Sequence, residues 1–116
     1  MNILHNLVIK DTYAFNKAVK KLKKRYRHIE KDYIAFVNTI QTINDLGIDL
    51  GGGIYKVRIA NSDKASGKSA GYRLISYLKM IDNELYLMFI YDKSDMENIS
   101  EKEIDSLILE SFSENK

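Results

Sequence analysis

The chain has 116 residues, 45% hydrophobic and 29% charged, with no cysteine, which predicts one globular domain over residues 1–116 and excludes disulfides and thiolate chemistry. No apolar run approaches the roughly 18 residues of a membrane span and no signal-peptide core is visible, so we expect a cytoplasmic protein without a membrane partner. The net charge of +2 conceals +9 over residues 1–79 (15 Lys and Arg, 6 Asp and Glu) and −7 over residues 80–116 (3 and 10). This asymmetry of charge favours a surface that binds a polyanion, although the charges of residues 1–79 and 80–116 can also neutralise each other in the fold.

The N-terminal part of the chain predicts a strand followed by helices. Residues 2–9 are rich in apolar side chains, which indicates an edge strand. From Asp11 onward apolar residues recur every three or four positions, which is typical of amphipathic helices over residues 11–46. Either Asp11 or Thr12 can cap the first helix. No Gly or Pro interrupts the region, so two helices and one long helix both remain open.

The pattern becomes β after three consecutive glycines. Residues 54–60 alternate in polarity, and after a polar loop residues 71–79 form another strand. Residues 84–91 are apolar on both faces, as in a strand inside a sheet. A capping box and a hydrophobic staple around Ser100 begin the last helix. The predicted order is β-α-α-β-β-β-α. This is an α+β fold with an antiparallel-type sheet packed against two N-terminal helices, with a C-terminal helix.

Basic residues on the predicted strands and their loop are the first candidates for function. The set contains Lys56, Arg58, Lys64, Lys68 and Arg73, with the aromatic Tyr77 beside them. Lys56 and Arg58 share one face of a strand, and a hairpin would bring Arg73 and Tyr77 to the same face. Such a cluster suits a phosphodiester backbone and a stacked base. The alternative is a solvated strand face that keeps an edge soluble.

A second basic group lies on the predicted first helix. Lys20, Lys21 and Lys24 occupy the helix side away from the apolar stripe. They can follow the backbone of a large RNA, and a solvated helix face is the alternative.

Two further patterns argue against other functions. Gly67-Lys68-Ser69 is similar to the end of a Walker A loop, but position 62 is Ser and a strand follows, which argues against nucleotide hydrolysis. The two histidines, His5 and His28, have no acidic residue at metal-binding spacing. We therefore expect no metal, no cofactor and no small-molecule ligand.

Three runs resemble, in this order, the RelE/HigB branch of the RelE/ParE toxin superfamily of bacterial type II toxin–antitoxin modules. They are IYKVRIA (54–60), SGKSAGYRLISY (66–77) and FIYDKSDMENISEKEI (89–104). The resemblance implies a small RelE-like fold, a cognate antitoxin and a metal-independent mRNA interferase that acts in the ribosomal A site. There the ribose 2′-hydroxyl attacks the adjacent phosphate, which leaves a 2′,3′-cyclic phosphate and a 5′-hydroxyl.

The resemblance also implies site residues. Lys56 and Arg58 match the basic pair of the family, and Arg73 matches the arginine of its GYR motif. The lysine would assist deprotonation or the leaving group, and the arginines would stabilise charge on the phosphorane. Lys93, preceded by Tyr91, falls where the family often has another basic residue. Arg73 is expected to be an exposed strand arginine that adds little to the core.

The sequence departs from the better-known branch at two positions. Ser94 stands where that branch has an arginine, and Ile99 stands where it has a tyrosine, so either Tyr77, Tyr91 and Lys93 substitute or the activity is altered. Two alternatives remain: a ParE-like inhibitor of DNA gyrase, which the Lys56, Arg58 and Arg73 pattern argues against, and a non-catalytic nucleic-acid-binding module, which the two departures favour.

Overall fold

The structure, a computed structural model, describes residues 3–64, 67–96 and 98–113, with Ser113 described in its backbone alone. The strands are β1 (Val8–Asp11), β2 (Ile48–Gly51), β3 (Ile54–Ile59), β4 (Tyr72–Lys79) and β5 (Glu84–Asp92). The helices are α1 (Tyr13–Lys23), α2 (Ile29–Val37) and α3 (Glu101–Ser113). Asn2 of the predicted first strand, and Ser66 and Glu97 of the family-like runs, lie outside the described residues. Within the described ranges, no helix is long and apolar enough to cross a membrane.

The five strands form one mixed sheet in the order β1-β5-β4-β3-β2. The three neighbouring pairs from β2 to β5 are antiparallel, whereas β1 runs parallel to β5. The α+β class and the helix order are therefore confirmed, and the expectation of an antiparallel-type sheet is corrected at this one pairing. As predicted, β1 is an edge strand and β5 lies inside the sheet.

Two strands differ from the prediction. Strand β1 begins at Val8 rather than at residue 2, because pairing with β5 fixes it: the Asn83 side chain at the start of β5 donates to the carbonyls of His5 and Asn6. Strand β2 was not predicted, because it has only four residues and all four are exposed. It pairs with β3 as the other edge strand.

Helices cover both faces of the sheet. Residues Phe15, Val19, Leu22 and Ile29 from α1 and α2 pack with Leu74, Leu87 and Ile90 on one face. On the other face Ile104 of α3 packs with Ile54, Ile75, Met88 and Tyr91. Met88 is the extra residue at a register shift in β5. As a result Met88 and Phe89, which are consecutive, both pack on the side of the sheet that α3 covers.

The helix ends follow local sequence. Thr12 caps α1, because its hydroxyl accepts the backbone N–H of Phe15 at 3.1 Å. The chain breaks between α1 and α2, which confirms two helices over one. The capping box before α3 is formed in both directions: Glu103 N–H donates to Ser100 Oγ at 3.1 Å and Ser100 N–H donates to Glu103 Oε1 at 3.1 Å.

Candidate functional site

Arg58, Arg73 and Tyr91 stand side by side on three neighbouring strands. The strand register pairs Arg58 with Arg73, and Arg73 with Tyr91. Directly opposite residues lie on one face with Cβ atoms about 4.5–5.5 Å apart. Lys56 follows along the same face of β3, opposite Ile75. The hairpin pairing expected from the sequence thus brings these cations together on the face that α3 covers further along the sheet. We call Lys56, Arg58 and Arg73 the cationic row.

The guanidinium of Arg73 is buried, with 7% of the residue exposed, which corrects the expectation of an exposed arginine. It donates to the carbonyl of Ser69 at 2.9 Å, of Tyr72 at 3.3 Å and of Lys68 at 3.4 Å. These carbonyls belong to the short 3-10 helix at Lys68–Ala70 and to the start of β4. Arg73 therefore holds the loop that precedes it as well as carrying a charge.

The cationic row places three cations on neighbouring strand positions, and none of the three has an acidic partner within the described residues. Elsewhere Lys10, Lys23, Arg25, Lys64 and Lys79 each form an ion pair with a carboxylate. In the row, the Lys56 ammonium donates to the neutral side-chain oxygen of Asn98 at 2.9 Å. Arg58 is exposed, and Arg73 bonds to carbonyls alone. Uncompensated cations on a rigid sheet form an anion-binding surface.

Tyr91 places a phenol beside the cationic row. Burial raises its pKa, and the charge of Arg73 and the nearby backbone of Ile99 act against this rise without cancelling it. The hydroxyl is buried and makes no well-aligned hydrogen bond within the described part of the chain. A phenol with a raised pKa stays protonated at neutral pH, so Tyr91 is suited to donate a proton rather than to accept one.

Two exposed lysines flank the buried arginine. Lys68 lies in the 3-10 helix whose carbonyls Arg73 binds, and Lys93 lies in the turn after β5. The backbone N–H of Lys93 donates to the carbonyl of Gly71 at 3.0 Å, so this turn is joined to the segment before β4. Both ammonium groups therefore belong to segments that adjoin Arg73.

The structure does not bring Lys64 and Tyr77 into this group. Lys64 forms an ion pair of 2.7 Å with the fully buried Asp92, on the face that α1 and α2 cover. Tyr77 packs against Phe112 of α3 and against Tyr86, with ring centroids 5.6 and 6.1 Å apart. RNA contacts by these two residues stay predictions, and their observed contacts are internal.

The lysines of the first helix lie elsewhere. Lys20 and Lys21 are exposed on α1, and Lys24 is exposed at its C-terminal end. Lys21 and Lys24 line a groove of about 880 Å³ between α1 and α3, whose wall includes Phe89 and Tyr91. Tyr91 thus lines this groove as well as standing beside the cationic row.

Asp92 is a residue that the sequence analysis did not single out. Its carboxylate accepts from Lys64, from Asn61 Nδ2 at 3.3 Å, and from the backbone N–H of Ser94 at 3.0 Å and the Ser94 hydroxyl. Burial opposes its ionisation, but these hydrogen bonds hold its pKa below the usual value. The sequence feature that could have identified Asp92 is its position: it is a single acidic residue at the end of an apolar strand, directly after Tyr91.

The two departures from the better-known branch also have visible contacts. Ser94 is bound to Asp92, and Ile99 packs with Ile104 beneath α3, as the predicted staple requires. Among residues 3–64, 67–96 and 98–113, no group of three His, Cys, Asp or Glu side chains could hold a metal ion.

A comparison with protein-family models identifies the family of the chain. The family model described as "RelE toxin of RelE / RelB toxin-antitoxin system" matches residues 12–111, a range that contains every candidate residue above. No curated protein matches the chain at a significant level.

Proposed function

Because the chain belongs to the RelE toxin family of type II toxin–antitoxin systems, we propose that it is an mRNA interferase, a metal-independent endoribonuclease that cleaves mRNA in the A site of the ribosome. Family membership implies a cognate antitoxin as its partner. Ribosomes and mRNA are the further partners in this proposal, which places the activity in the cytoplasm.

The observation that carries the proposal is the cationic row without acidic partners. Within the described residues, Lys10, Lys23 and Lys79 each pair with a carboxylate, whereas the three cations of the row adjoin one another on β3 and β4 without one. Cations that are left uncompensated on adjacent strands suit an anionic ligand. A phosphodiester at this place would meet Arg58 at the surface with Arg73 directly beside it.

The proposed reaction is attack of the ribose 2′-oxygen on the adjacent phosphorus. The 2′-hydroxyl loses its proton, the new P–O2′ bond forms, and the P–O5′ bond breaks through a pentacoordinate phosphorane. The 5′-oxygen then takes up a proton, which gives a 2′,3′-cyclic phosphate and a 5′-hydroxyl. Arg58 and Arg73 would stabilise the phosphorane charge.

Tyr91 and Lys56 are the candidates for the proton transfers. The Tyr91 phenol carries its proton at neutral pH, as phenols ordinarily do, which allows a role as donor to the 5′-oxygen. Its hydroxyl lies beside the backbone of Ile99, where the better-known branch has a tyrosine, so a phenol reaches that region from the sheet instead. Lys56, held by Asn98, would assist at the 2′-oxygen, and Lys93 supplies charge next to Ser94.

Primer extension on mRNA in a translating extract tests the proposal. We expect cuts in phase with codons that vanish when ribosomes are removed, and products with cyclic phosphate ends. Addition of EDTA at a concentration that spares the ribosomes should leave the cut pattern unchanged. Intact mRNA together with an SOS response would instead support a gyrase inhibitor, and binding without cuts would support a non-catalytic module.

Salt dependence tests the basic helix. If Lys20, Lys21 and Lys24 contact RNA phosphates, their replacement with Gln should weaken ribosome binding and lower the slope of log K against log salt by about 2, because each phosphate contact releases counterions. The measurement is ribosome pelleting over a range of KCl. Gln at the exposed Lys10 and Lys31 and at the half-buried Lys79 removes the same charge elsewhere and should leave the slope nearly unchanged. Equal slopes for both triple variants would assign the α1 lysines to a solvated face.

A further inference from the structure

A buried ion pair lies directly beneath the cationic row, on the opposite face of the sheet. Asp92 follows Tyr91 in β5, so its carboxylate points away from the row, and it is fully buried. Its partner, Lys64, comes from the loop between β3 and β4, at an Nζ–Oδ2 distance of 2.7 Å. Lys64 is partly exposed, but Asp92 is not, and burial of a carboxylate is costly unless it is paired and hydrogen-bonded. A pair in this place therefore calls for a reason beyond stability.

The Asp92–Lys64 ion pair contacts the 3-10 helix at Lys68–Ala70, whose carbonyls bind Arg73. The Lys64 ammonium donates to the carbonyl of Ala70 at 3.0 Å. The preceding carbonyl, of Ser69, accepts from Arg73 at 2.9 Å on the other side of the sheet. Two consecutive peptide groups of the 3-10 helix are thus held from opposite faces, one by Lys64 and one by Arg73.

The same carboxylate also holds the turn after β5. Asp92 accepts the backbone N–H and the hydroxyl of Ser94, which closes the turn that carries Lys93. The Lys93 N–H in turn donates to the carbonyl of Gly71, next to the 3-10 helix. A single buried carboxylate therefore connects the two segments that flank the cationic row.

We infer that Asp92 and Lys64 are positioning residues of the proposed cleavage site: from the face covered by α1 and α2, they hold the 3-10 helix whose carbonyls orient the Arg73 guanidinium, and the turn that carries Lys93. The inference rests on the proposed function. Displacement of a catalytic group by about 1 Å costs on the order of 100-fold in rate, so a positioning pair affects kcat far more than KM.

Two single variants and one double variant test this. Asp92→Asn removes the carboxylate that Lys64 binds, and Lys64→Met leaves the buried Asp92 carboxylate without its ammonium partner. For each we expect kcat on mRNA-bound ribosomes to fall about 100-fold with KM changed less than about threefold. Lys79→Met, which breaks the exposed Lys79–Asp82 pair, is the matched control and should keep both constants.

The double variant separates positioning from folding. Removal of both charges restores much of the stability, because no unpaired charge stays buried. If the pair positions Arg73, kcat stays low in Asp92→Asn/Lys64→Met although the melting temperature recovers. Recovery of kcat together with the melting temperature would overturn the inference, because the pair would then serve folding alone.

A readout without RNA makes the result independent of the proposed reaction. In the wild-type protein the Nη–H signals of Arg73 in a ¹⁵N NMR spectrum should be sharp and protected from exchange, because both Nη groups donate to carbonyls, and in the double variant they should broaden or exchange faster. An unchanged signal in the double variant would also overturn the inference. A wild-type protein that cleaves no mRNA would refute the proposed function, while the NMR result would still decide whether the pair orients Arg73.

Discussion

Arg73→Ala should reduce mRNA cleavage about 100- to 1,000-fold and should also destabilise the fold by about 1–3 kcal/mol. The rate falls because the variant loses a preorganised donor beside Arg58. Stability falls because the carbonyls of Lys68, Ser69 and Tyr72 lose their shared donor. Primer extension and urea denaturation measure the two effects. Arg73→Lys keeps the charge but lacks the planar fork, so we expect it to recover part of each.

Arg58→Ala is the matched control for this experiment. Arg58 faces Arg73 across the strand pair but is exposed, so its loss should lower cleavage while the free energy of unfolding changes by less than about 0.5 kcal/mol. Comparison of Arg58→Ala with Arg73→Ala therefore separates the effect of losing a positive charge on cleavage from the effect of losing the contacts that hold the loop before β4. Full toxicity of a folded Arg73→Ala variant would contradict the role assigned to the cationic row.

Gly71→Ala should destabilise the protein by about 3 kcal/mol or more and abolish cleavage. A Cβ atom at this position would lie 2.2 Å from the carbonyl oxygen of Ile59 and 2.9 Å from the backbone nitrogen of Asn61. Both are backbone atoms that cannot rotate away, so β4 and the loop before it must move apart from β3. The shift would displace Arg73, two residues further on, from its carbonyl partners.

Gly52→Ala provides the comparison for this substitution. No atom lies within 4 Å of a Cβ at Gly52, but its φ of +61° is in the left-handed region. The variant should therefore lose only about 1 kcal/mol from backbone strain and keep its cleavage activity. Denaturation curves of the two variants measured side by side decide the point: equal midpoints would show that the close approach at Gly71 is tolerated.

Local patterns predicted those parts of the fold that depend on neighbours in sequence. The alternation in residues 54–60 and 71–79 placed Arg58 and Arg73 on one face, and the Ser100 capping box marked the start of α3. Strand β2 was not predicted, because an edge strand whose four residues are all exposed shows no burial pattern in its sequence. The shift of β1 depends on a parallel pairing with residues more than 70 positions away, which no local period reports.

In the candidate site, too, some features could be predicted from the sequence and others could not. Which cations share a face could be predicted, because strand geometry decides it. Which cations are neutralised could not, because Lys64 and Lys68 look alike in a polar loop and only the fold brings Asp92, 28 residues away, to one of them. The burial of Arg73 likewise could not be predicted, because its partners are backbone carbonyls. Every residue has such a carbonyl, so no sequence pattern marks the ones that bind Arg73.

The cationic row also has a consequence for how the free protein persists. Three like charges on adjacent positions of β3 and β4 repel one another in the folded chain and move apart when it unfolds, so unfolding relieves part of the repulsion. A ligand that binds only the folded form raises its stability, by about 2.7 kcal/mol at a concentration 100 times its Kd. A polyanion bound at the row would therefore protect the chain from unfolding and from proteases that attack the unfolded form. The lifetime of the protein then depends on its occupancy, and the unoccupied form is the one that is degraded first.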